Sequence, residues 1–335
     1  MIKVAINGFG RIGRAAFKIA FERPDIEIVA INDLADVESL AYLLQYDSNY
    51  GIYGRQVSHE GDNLIIDGTK IPVLSKADPS ELPWGDLGIN VVMECSGHFN
   101  DPAKARAHIT AGAQKVVISA PLKGEADAKT IVLGVNEDIL TADDRILSNA
   151  SCTTNCIAPV MKLLEEKFGV AKAMMTTVHS YTASQALVDG PAKTARESRA
   201  AALNIVPTST GASKAAALTI PSLKGNFNGL SVRVPTSVVS LSDITAVLKQ
   251  KVTASEVNQI FEEATHDPRY QGVLAVTHAP VVSTDLRGNS HSCIVDLSLT
   301  DVVAGDLVKV VVWYDNEWGY ANRLVELTSK FGEEE

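Results

Sequence analysis

The chain has 335 residues, of which 46% are hydrophobic and 21% charged, which is ordinary for a globular protein and sufficient for two domains with separate cores. Its formal net charge of -10 argues against nucleic acid or an anionic membrane as the main partner. The sequence lacks a long apolar run and an N-terminal signal pattern, and its four cysteines do not suggest a disulfide framework, so a cytoplasmic location is expected.

Short apolar runs alternate with helix-like segments through the first half of the chain. A helix is predicted over DPAKARAHITAGA, with Asp101 as its N-cap and Pro102 in its first turn. Two turn signals, EGDN and DGTK, predict hairpins between residues 57 and 75. Continuous apolar strands that alternate with helices are typical of a parallel sheet covered on both faces.

Gly8, Gly10 and Gly13 follow the first predicted strand in G-x-G-x-x-G spacing. The first glycine permits a tight turn, the second lets the backbone approach a pyrophosphate, and the third lets the next helix lie close to the sheet. Asp33 ends the following strand, where a carboxylate accepts hydrogen bonds from a ribose and repels a 2'-phosphate. The pattern predicts a Rossmann-type, doubly wound domain over residues 1–150 that binds NAD rather than NADP, although a simple strand-to-helix turn also explains a glycine motif.

The pattern changes near residue 150. A helix is predicted over residues 152–168, and residues 180–200 are polar without a clear period. Long β-rich stretches with few helices follow, which predicts an α+β domain with a mostly antiparallel sheet over residues 151–318. A last helix, from about residue 320 to residue 330, could pack on either domain.

The segment NASCTTNC holds two of the four cysteines. Zinc spacing and a C-x-x-C redox pair are both lacking, so no metal is predicted. At the start of the predicted helix, Cys152 would lie where free backbone N–H groups and the helix dipole stabilise a thiolate, whereas Cys156 would lie one turn deeper. Cys152 is therefore the candidate nucleophile, but two small core residues at a helix start explain the pair equally well.

A thiolate at neutral pH usually needs a cationic neighbour. Of the seven histidines, His179 is the favoured partner because it ends a predicted strand at the edge of the second sheet. The other six fall in predicted hairpins, loops, helices or polar turns.

Six motifs, taken together, are more specific than a general nucleotide-binding pattern: INGFGRIGR, SNASCTTNC, TTVHSYT, PTSTGASKA, LSVRVPT and WYDNEWGY. In this order, and from end to end, the chain resembles the phosphorylating glyceraldehyde-3-phosphate dehydrogenases. The resemblance implies that Cys152 attacks the aldehyde and that His179 acts as the base. It also implies an acyl thioester, which inorganic phosphate converts to an acyl phosphate.

The resemblance further implies two anion sites and several cofactor contacts. Thr182 and Arg233 match the site for the substrate phosphate. The site for inorganic phosphate matches Ser151, Thr153, Thr210 and Gly211. The remaining cofactor contacts match Arg11, Ile12, Ser119 and Asn316. The family is tetrameric, and its last helix, here residues 319–335, packs back on the cofactor domain.

The sequence departs from the family pattern mainly in one loop. In the family, this loop borders the cofactor of the neighbouring subunit. Between residues 183 and 197 of this chain, several bulky or polar residues of the family pattern are replaced, which removes positive charge and side-chain bulk. The replacements are Ala183, Ser184, Gly190, Ala192 and Glu197. Pro191 matches NAD-preferring members, whereas Ala77 replaces a basic residue near the adenine region.

Two other functions stay open at the level of sequence. One is the related oxidation of erythrose 4-phosphate, which uses the same cysteine, histidine and cofactor motif. The other is a catalytically silent NAD-binding scaffold. Retention of Cys152, His179 and Arg233 argues against the scaffold, and PTSTGASKAA favours glyceraldehyde 3-phosphate over the four-carbon aldehyde.

Overall fold

The computed structural model describes residues 1–124 and 128–333. The chain divides into two compact units. The first comprises Met1–Ile131, Asp138–Ala150 and the chain from Ala321 onward. The second comprises Val132–Glu137 and Ser151–Tyr320.

A nine-stranded sheet forms the first unit. Its strands are β1 Ile2–Asn7, β2 Ile26–Asn32, β5 Val57–Glu60, β6 Asn63–Ile66, β7 Thr69–Leu74, β8 Val91–Glu94, β9 Lys115–Ile118, β10 Lys129–Thr130 and β11 Ile146–Ser148. Their order in the sheet is β10-β11-β9-β8-β1-β2-β7-β6-β5. A separate pair consists of β3 Tyr46–Asp47 and β4 Gly51–Ile52. The helices are α1 Arg11–Ala20, α2 Val37–Gln45, α3 Trp84–Leu87 and α4 Pro102–Thr110.

All pairings from β10 to β7 are parallel, and the hairpins β5–β6 and β6–β7 add an antiparallel edge. The doubly wound parallel sheet and the hairpins predicted from sequence are therefore confirmed. Val91, Val92 and Met93 of β8 are fully buried, as strands covered on both faces require. The predicted cap of α4 is also present, because the Asp101 carboxylate accepts from the Ala103 N–H at 2.9 Å.

A seven-stranded sheet forms the second unit. Its strands are β12 Val170–Ser180, β13 Val206–Ser209, β14 Phe227–Val234, β15 Ser240–Leu248, β16 Leu274–Thr277, β17 Cys293–Val303 and β18 Leu307–Tyr314. Their order in the sheet is β13-β14-β12-β15-β18-β17-β16. Only β12–β14 and β16–β17 are parallel among these neighbours, so the predicted mostly antiparallel sheet is confirmed. Its helices are α5 Cys152–Phe168, α6 Ala212–Thr219 and α7 Ala254–Ala264.

Helix α5 packs on β15, β17 and β18 of this sheet and on α6 and α7. The predicted bounds of α5 agree with the structure. Short 3₁₀ turns occupy Pro79–Glu81, Glu137–Ile139, Pro221–Leu223, Pro268–Tyr270 and Ser283–Leu286. Residues 181–205, all of them described, form neither a helix nor a strand.

The last helix, α8, runs over Trp318–Glu333 and so begins earlier than predicted. The Asp315 carboxylate accepts from the N–H groups of Glu317, at 3.0 Å, and Trp318, at 2.8 Å, and so orders the turn that leads into the helix. Within the first unit, the Ser329 hydroxyl of α8 donates to Asp25 at 2.5 Å, and the Lys115 ammonium donates to the Phe331 carbonyl at 2.8 Å. None of the helices formed by residues 1–124 and 128–333 combines the length and apolarity that a bilayer-spanning helix requires.

Candidate active site

Cys152 is the first residue of α5. The Ser151 hydroxyl caps this helix by accepting from the Thr154 N–H at 3.0 Å. Ala150, immediately before the cap, has a φ of 55°, an unusual left-handed conformation for a residue with a side chain. The chain therefore turns sharply into α5 and places the thiol in its first turn. Cys156, one turn later, is fully buried.

The Cys152 thiol lies against the His179 imidazole, with 3.5 Å between Sγ and Nε2. His179 is the penultimate residue of β12 and is only 5% exposed. The two residues come from a helix and a strand that are separate in sequence and adjacent in the second unit. The structure thus brings the predicted nucleophile and base into hydrogen-bonding contact.

The parallel pairing of β12 with β14 places Arg233 in register with His179. One Arg233 nitrogen contacts His179 Nδ1 and donates to the Ser180 carbonyl at 3.1 Å. That carbonyl also lies 2.6 Å from Nδ1, and two acceptors at this distance would repel each other. The neutral ring has one proton for its two nitrogens: the carbonyl favours that proton on Nδ1, whereas the guanidinium, which only donates, favours it on Nε2.

The ionisation of this pair is set mainly by burial. Burial raises the pKa of the Cys152 thiol, although the Arg233 charge and hydrogen bonds from Thr153 oppose the rise. Burial and, next, the Arg233 charge lower the pKa of His179 to about 3, against the hydrogen bond to Ser180. Desolvation therefore outweighs the stabilisation that the start of α5 offers to a thiolate. Both shifts favour a thiol and a neutral imidazole over an ion pair.

Tyr314 packs against His179 and bonds Thr153, the residue after Cys152. The sequence alone did not predict a role for this residue. Its hydroxyl lies 2.8 Å from the hydroxyls of both Thr153 and Thr177. Its ring packs edge-on against the His179 ring, with 6.0 Å between centroids. Burial raises the pKa of Tyr314 above its usual range, so the phenol stays protonated. The hydroxyl of a buried tyrosine usually has a hydrogen-bond partner, and this tendency is the signal that the sequence offered for Tyr314.

Asn316 lies two residues beyond the end of β18, in the second unit, and is 6% exposed. Its side-chain oxygen accepts from the Ser240 hydroxyl at 2.9 Å, and that hydroxyl in turn accepts from the Ser180 N–H at 3.1 Å. Val239, next to Ser240, has a φ of 70°, which is strained for a β-branched residue. The orientation of the Asn316 amide is therefore fixed by the backbone next to His179.

The predicted anion-binding residues fall into two groups. Ser151 and Thr153 flank Cys152 in the chain, and Arg233 contacts His179. The others lie in neighbouring segments, and within the described structure they have no hydrogen bond to the pair. The Thr182 hydroxyl lies 3.1 Å from that of Ser184, and the Thr210 hydroxyl accepts from the Ala212 N–H at 3.1 Å. Gly211 precedes α6, which packs on α5.

The glycine motif borders a cavity of about 570 Å³ in the first unit. A Cβ on Gly8, whose φ is +92°, would lie 2.5 Å from the backbone of Ser96, and one on Gly13 would lie 2.1 Å from the Gly8 carbonyl oxygen. A Cβ on Gly10 would meet no atom within 4 Å and would project into open space beside the cavity. Gly8 and Gly13 thus allow close packing of the backbone, and Gly10 leaves the space beside the cavity open, as a dinucleotide phosphate requires.

Asp33 also lines this cavity. Its two oxygens accept from the N–H groups of Phe9, at 2.6 Å, and Ala35, at 2.9 Å, so the carboxylate is held at the end of β2 beside the glycine turn. Helix α1 begins after Gly10 without a side-chain cap, an arrangement that suits a bound anion. These residues fit the adenosine and pyrophosphate parts of a dinucleotide.

The other predicted cofactor contacts lie near the same strand ends. Arg11 and Ile12 open α1, where the Arg11 guanidinium pairs with Asp47 at 2.5 Å. Ser119 follows β9, and its N–H donates to the Glu94 carbonyl at 2.9 Å. Ala77 lines the cavity, whereas the divergent loop lies in the second unit. In that loop Glu197 accepts from the Thr194 hydroxyl at 2.9 Å.

Comparison with known proteins matches both units to one family. Residues 2–102 match the model of the glyceraldehyde 3-phosphate dehydrogenase NAD binding domain, and residues 151–316 match that of the C-terminal domain. The chain is 50% identical over 331 residues to the glyceraldehyde-3-phosphate dehydrogenase of Zymomonas mobilis, covering 98% of both chains.

Two further relatives are similar over nearly the whole chain. Glyceraldehyde-3-phosphate dehydrogenase 1 of Bacillus subtilis is 51% identical, over 98% of this chain and 97% of that protein. The chloroplastic glyceraldehyde-3-phosphate dehydrogenase A of Zea mays is 51% identical, over 97% of this chain and 81% of that protein. The chain belongs to the glyceraldehyde-3-phosphate dehydrogenase family, whose NAD-binding domain it contains.

Proposed function

We propose that this chain catalyses the oxidation of D-glyceraldehyde 3-phosphate, with NAD and inorganic phosphate, to 1,3-bisphosphoglycerate. The observation that carries the proposal is the contact between Cys152 Sγ and His179 Nε2 at 3.5 Å, in a chain of this family. Residues 1–150 would form the NAD-binding domain and residues 151–318 the catalytic domain. Residues 319–335 would return to the NAD-binding domain.

The first step joins the thiol to the aldehyde. As the Cys152 sulfur attacks the carbonyl carbon, its proton passes to His179 Nε2, 3.5 Å away, which accepts it when the ring proton is on Nδ1. The proton then moves to the former carbonyl oxygen and yields a thiohemiacetal. The backbone N–H of Cys152, at the start of α5, stabilises the negative charge that develops on that oxygen.

Oxidation requires His179 to act a second time. Its Nε2 removes the proton of the thiohemiacetal hydroxyl while a hydride leaves the same carbon, and a thioester on Cys152 results. NAD, when bound, supplies the hydride acceptor. The depressed pKa of His179 keeps the imidazole unprotonated at neutral pH and therefore ready to accept this proton. Asn316, held by Ser240, would fix the orientation of the nicotinamide carboxamide.

Inorganic phosphate completes the cycle. A phosphate oxygen attacks the thioester carbonyl, the carbon–sulfur bond breaks, and the sulfur leaves as a thiolate that regains its proton from the protonated imidazole. Arg233 and Thr182 would hold the phosphate of the substrate. The attacking phosphate would be held by Ser151, Thr153, Thr210 and Gly211. Hydroxyls and backbone amides donate hydrogen bonds, and the guanidinium adds charge, so each group suits an anion.

The cofactor is NAD, and we propose that it is preferred over NADP. Asp33 is ionisable, lies on the cavity and is held in place by two backbone N–H groups. A carboxylate there would bond the ribose of NAD and repel a 2'-phosphate. Gly8, Gly10, Gly13, Arg11, Ile12 and Ser119 would complete the cofactor contacts.

We also propose a cytoplasmic homotetramer. Between residues 187 and 218 the second unit exposes several large apolar side chains, which suggests a subunit interface. These residues, each at least 72% exposed, are Leu187, Val188, Leu203, Ile205 and Leu218. All four cysteines are free, in keeping with a reducing compartment. Light scattering of the purified chain tests the tetramer directly, and a monomer at micromolar concentration would refute it.

Formation of NADH from glyceraldehyde 3-phosphate, measured with and without inorganic phosphate, tests the proposed activity. We expect steady turnover only when phosphate is present, and a burst limited to one equivalent without it. Parallel assays with erythrose 4-phosphate distinguish this activity from that of the related enzyme. A preference of this chain for the four-carbon aldehyde would reverse the assignment. A tetramer that binds NAD and produces no NADH from either aldehyde would be a scaffold instead.

A further inference from the structure

Glu94 is a fully buried carboxylate at the end of β8, outside the residues assigned above. One of its oxygens accepts from the N–H of Ser96 at 2.8 Å and from its hydroxyl at 2.5 Å. The other lies 2.5 Å from the amide nitrogen of Asn7 and 3.0 Å from Nε2 of His108. Two strand ends, a loop and helix α4 therefore meet at one carboxylate.

The direction of these hydrogen bonds follows from Trp84. Its indole N–H lies 3.0 Å from Nδ1 of His108, and since an indole only donates, Nδ1 is unprotonated. The ring therefore carries its proton on Nε2, which donates to Glu94. Donors from Ser96, Asn7 and His108 are thus all directed at the two oxygens of Glu94.

The network continues to the wall of the cofactor cavity. The Asn7 oxygen accepts from the Asn32 amide at 2.7 Å, and Asn32 in turn bonds both the N–H and the carbonyl of Lys76 at 2.9 Å. Asn7, Asn32, Lys76 and Ser96 all line the cavity. Glu94 thus joins the ends of β1, β2 and β8 beneath the residues that a dinucleotide would contact.

The position of Ser96 matters because of Gly8. The Ser96 backbone approaches the glycine turn so closely that a Cβ on Gly8 would lie 2.5 Å from it. Glu94 is the carboxylate that holds both polar groups of Ser96, and so it sets the distance between this loop and the turn. A loop released from Glu94 would have to be ordered again whenever a dinucleotide binds, which costs affinity.

We propose that Glu94 is a positioning residue of the cofactor site: it holds the Ser96 loop against the Gly8 turn and thereby preorganises the pocket for NAD. The inference rests on the proposed use of this cavity by NAD. It concerns affinity for the cofactor, because Glu94 is buried behind the lining residues and acts through Ser96 and Asn7.

The test compares Glu94→Gln with Trp84→Phe, both in the full chain. The glutamine keeps the shape but places an NH2 group against groups that donate, so the Ser96 loop or Asn7 loses its anchor. Trp84→Phe perturbs the same cluster and leaves all contacts of Glu94 with Ser96 in place. NAD is titrated by calorimetry, amide exchange is measured at residues 95–98, and the melting temperature of each protein is recorded.

We expect Glu94→Gln to weaken NAD binding by about tenfold or more and to speed amide exchange at Ser96. KM for NAD should rise while kcat at saturating NAD is retained. Trp84→Phe should lower the melting temperature and leave the dissociation constant for NAD within about twofold of the original. If Glu94→Gln does not fold, Glu94→Asp replaces it, since a shorter carboxylate cannot reach Ser96 and His108 together.

Three outcomes would overturn the inference. Unchanged NAD affinity in the Glu94 variant would remove the positioning role and leave the proposed function intact. Equal loss of NAD affinity in the Glu94 and Trp84 variants would show that the network contributes only to the stability of the fold. Lack of NAD binding by the unaltered chain would refute the proposed function and, with it, this inference.

Discussion

Arg233 and His179 are in register on the adjacent parallel strands β14 and β12, with the guanidinium against the imidazole. The cation acts on both reacting groups, because it opposes the rise in the pKa of Cys152 and lowers the pKa of His179. A phosphate that binds Arg233 would therefore affect the ionisation of the pair as well as the position of the substrate.

Arg233→Ala should raise KM for glyceraldehyde 3-phosphate by about tenfold or more, since a charge-assisted hydrogen bond is lost. It should also shift the pH midpoint of Cys152 alkylation upward in the NAD-free protein, because the positive charge that favours the thiolate is gone. Initial-rate kinetics and iodoacetamide labelling measure the two effects, with Arg233→Lys as the charge-retaining control. An unchanged KM would remove Arg233 from the phosphate site.

His179 should make the fold sensitive to acid. Its folded pKa of about 3 lies below the ordinary value near 6.5. Between these values the unfolded chain binds the proton and the folded chain does not, so stability falls as pH is lowered from about 6.5 toward 3. His179→Asn should reduce this slope by up to ~1.4 kcal/mol per pH unit. Urea unfolding at several pH values measures the slope, and identical slopes would show that His179 is not held neutral.

Tyr314→Phe should reduce the free energy of unfolding by about 1–2 kcal/mol, because the Thr153 and Thr177 hydroxyls lose a buried partner. Tyr270 provides a matched control in the same unit: it is equally buried, but its hydroxyl has no hydrogen bond in the described structure. Tyr270→Phe should therefore be neutral or stabilising. Urea unfolding compares the two variants, and equal losses would contradict the role given to Tyr314.

Asp33→Asn should narrow the preference for NAD over NADP. The amide cannot repel a 2'-phosphate, and it replaces one of the oxygens that accept from Phe9 and Ala35. We expect weaker NAD binding together with measurable NADP binding. Titration of both cofactors tests this, and an unaltered ratio of dissociation constants would place the selectivity elsewhere.

His179→Asn should slow oxidation by about 10²–10⁴, the usual range for loss of a general base. Binding of NAD should be nearly unchanged, because the glycine motif and Asp33 belong to the other unit. Stopped-flow measurement of the first turnover separates this step from product release. A loss of less than tenfold would show that another group accepts the proton.

Sequence alone predicted the features that local patterns encode. The bounds of α5, the Asp101 cap and the two hairpins follow from turn and capping residues, and the role of Gly13 follows from the close approach of a helix to its strand. The early start of α8 was missed because it depends on the single side chain of Asp315.

The interior contacts could not be read from the sequence, because they join residues that are distant along the chain. Glu94, His108 and Trp84 each occur singly among apolar neighbours, and nothing local shows that they share one buried network. Likewise, the helix-start argument for Cys152 gave the position of the thiol, but the desolvation that raises its pKa depends on the surrounding fold.

The most direct measurement is mass spectrometry of the chain after it has reacted with NAD and glyceraldehyde 3-phosphate in the absence of inorganic phosphate. We predict one phosphoglyceroyl group per chain, mapped to Cys152, formed together with one equivalent of NADH and released when phosphate is added. Cys152→Ser should give neither. NADH formation by Cys152→Ser, or an acyl group attached to any residue other than Cys152, would contradict the mechanism.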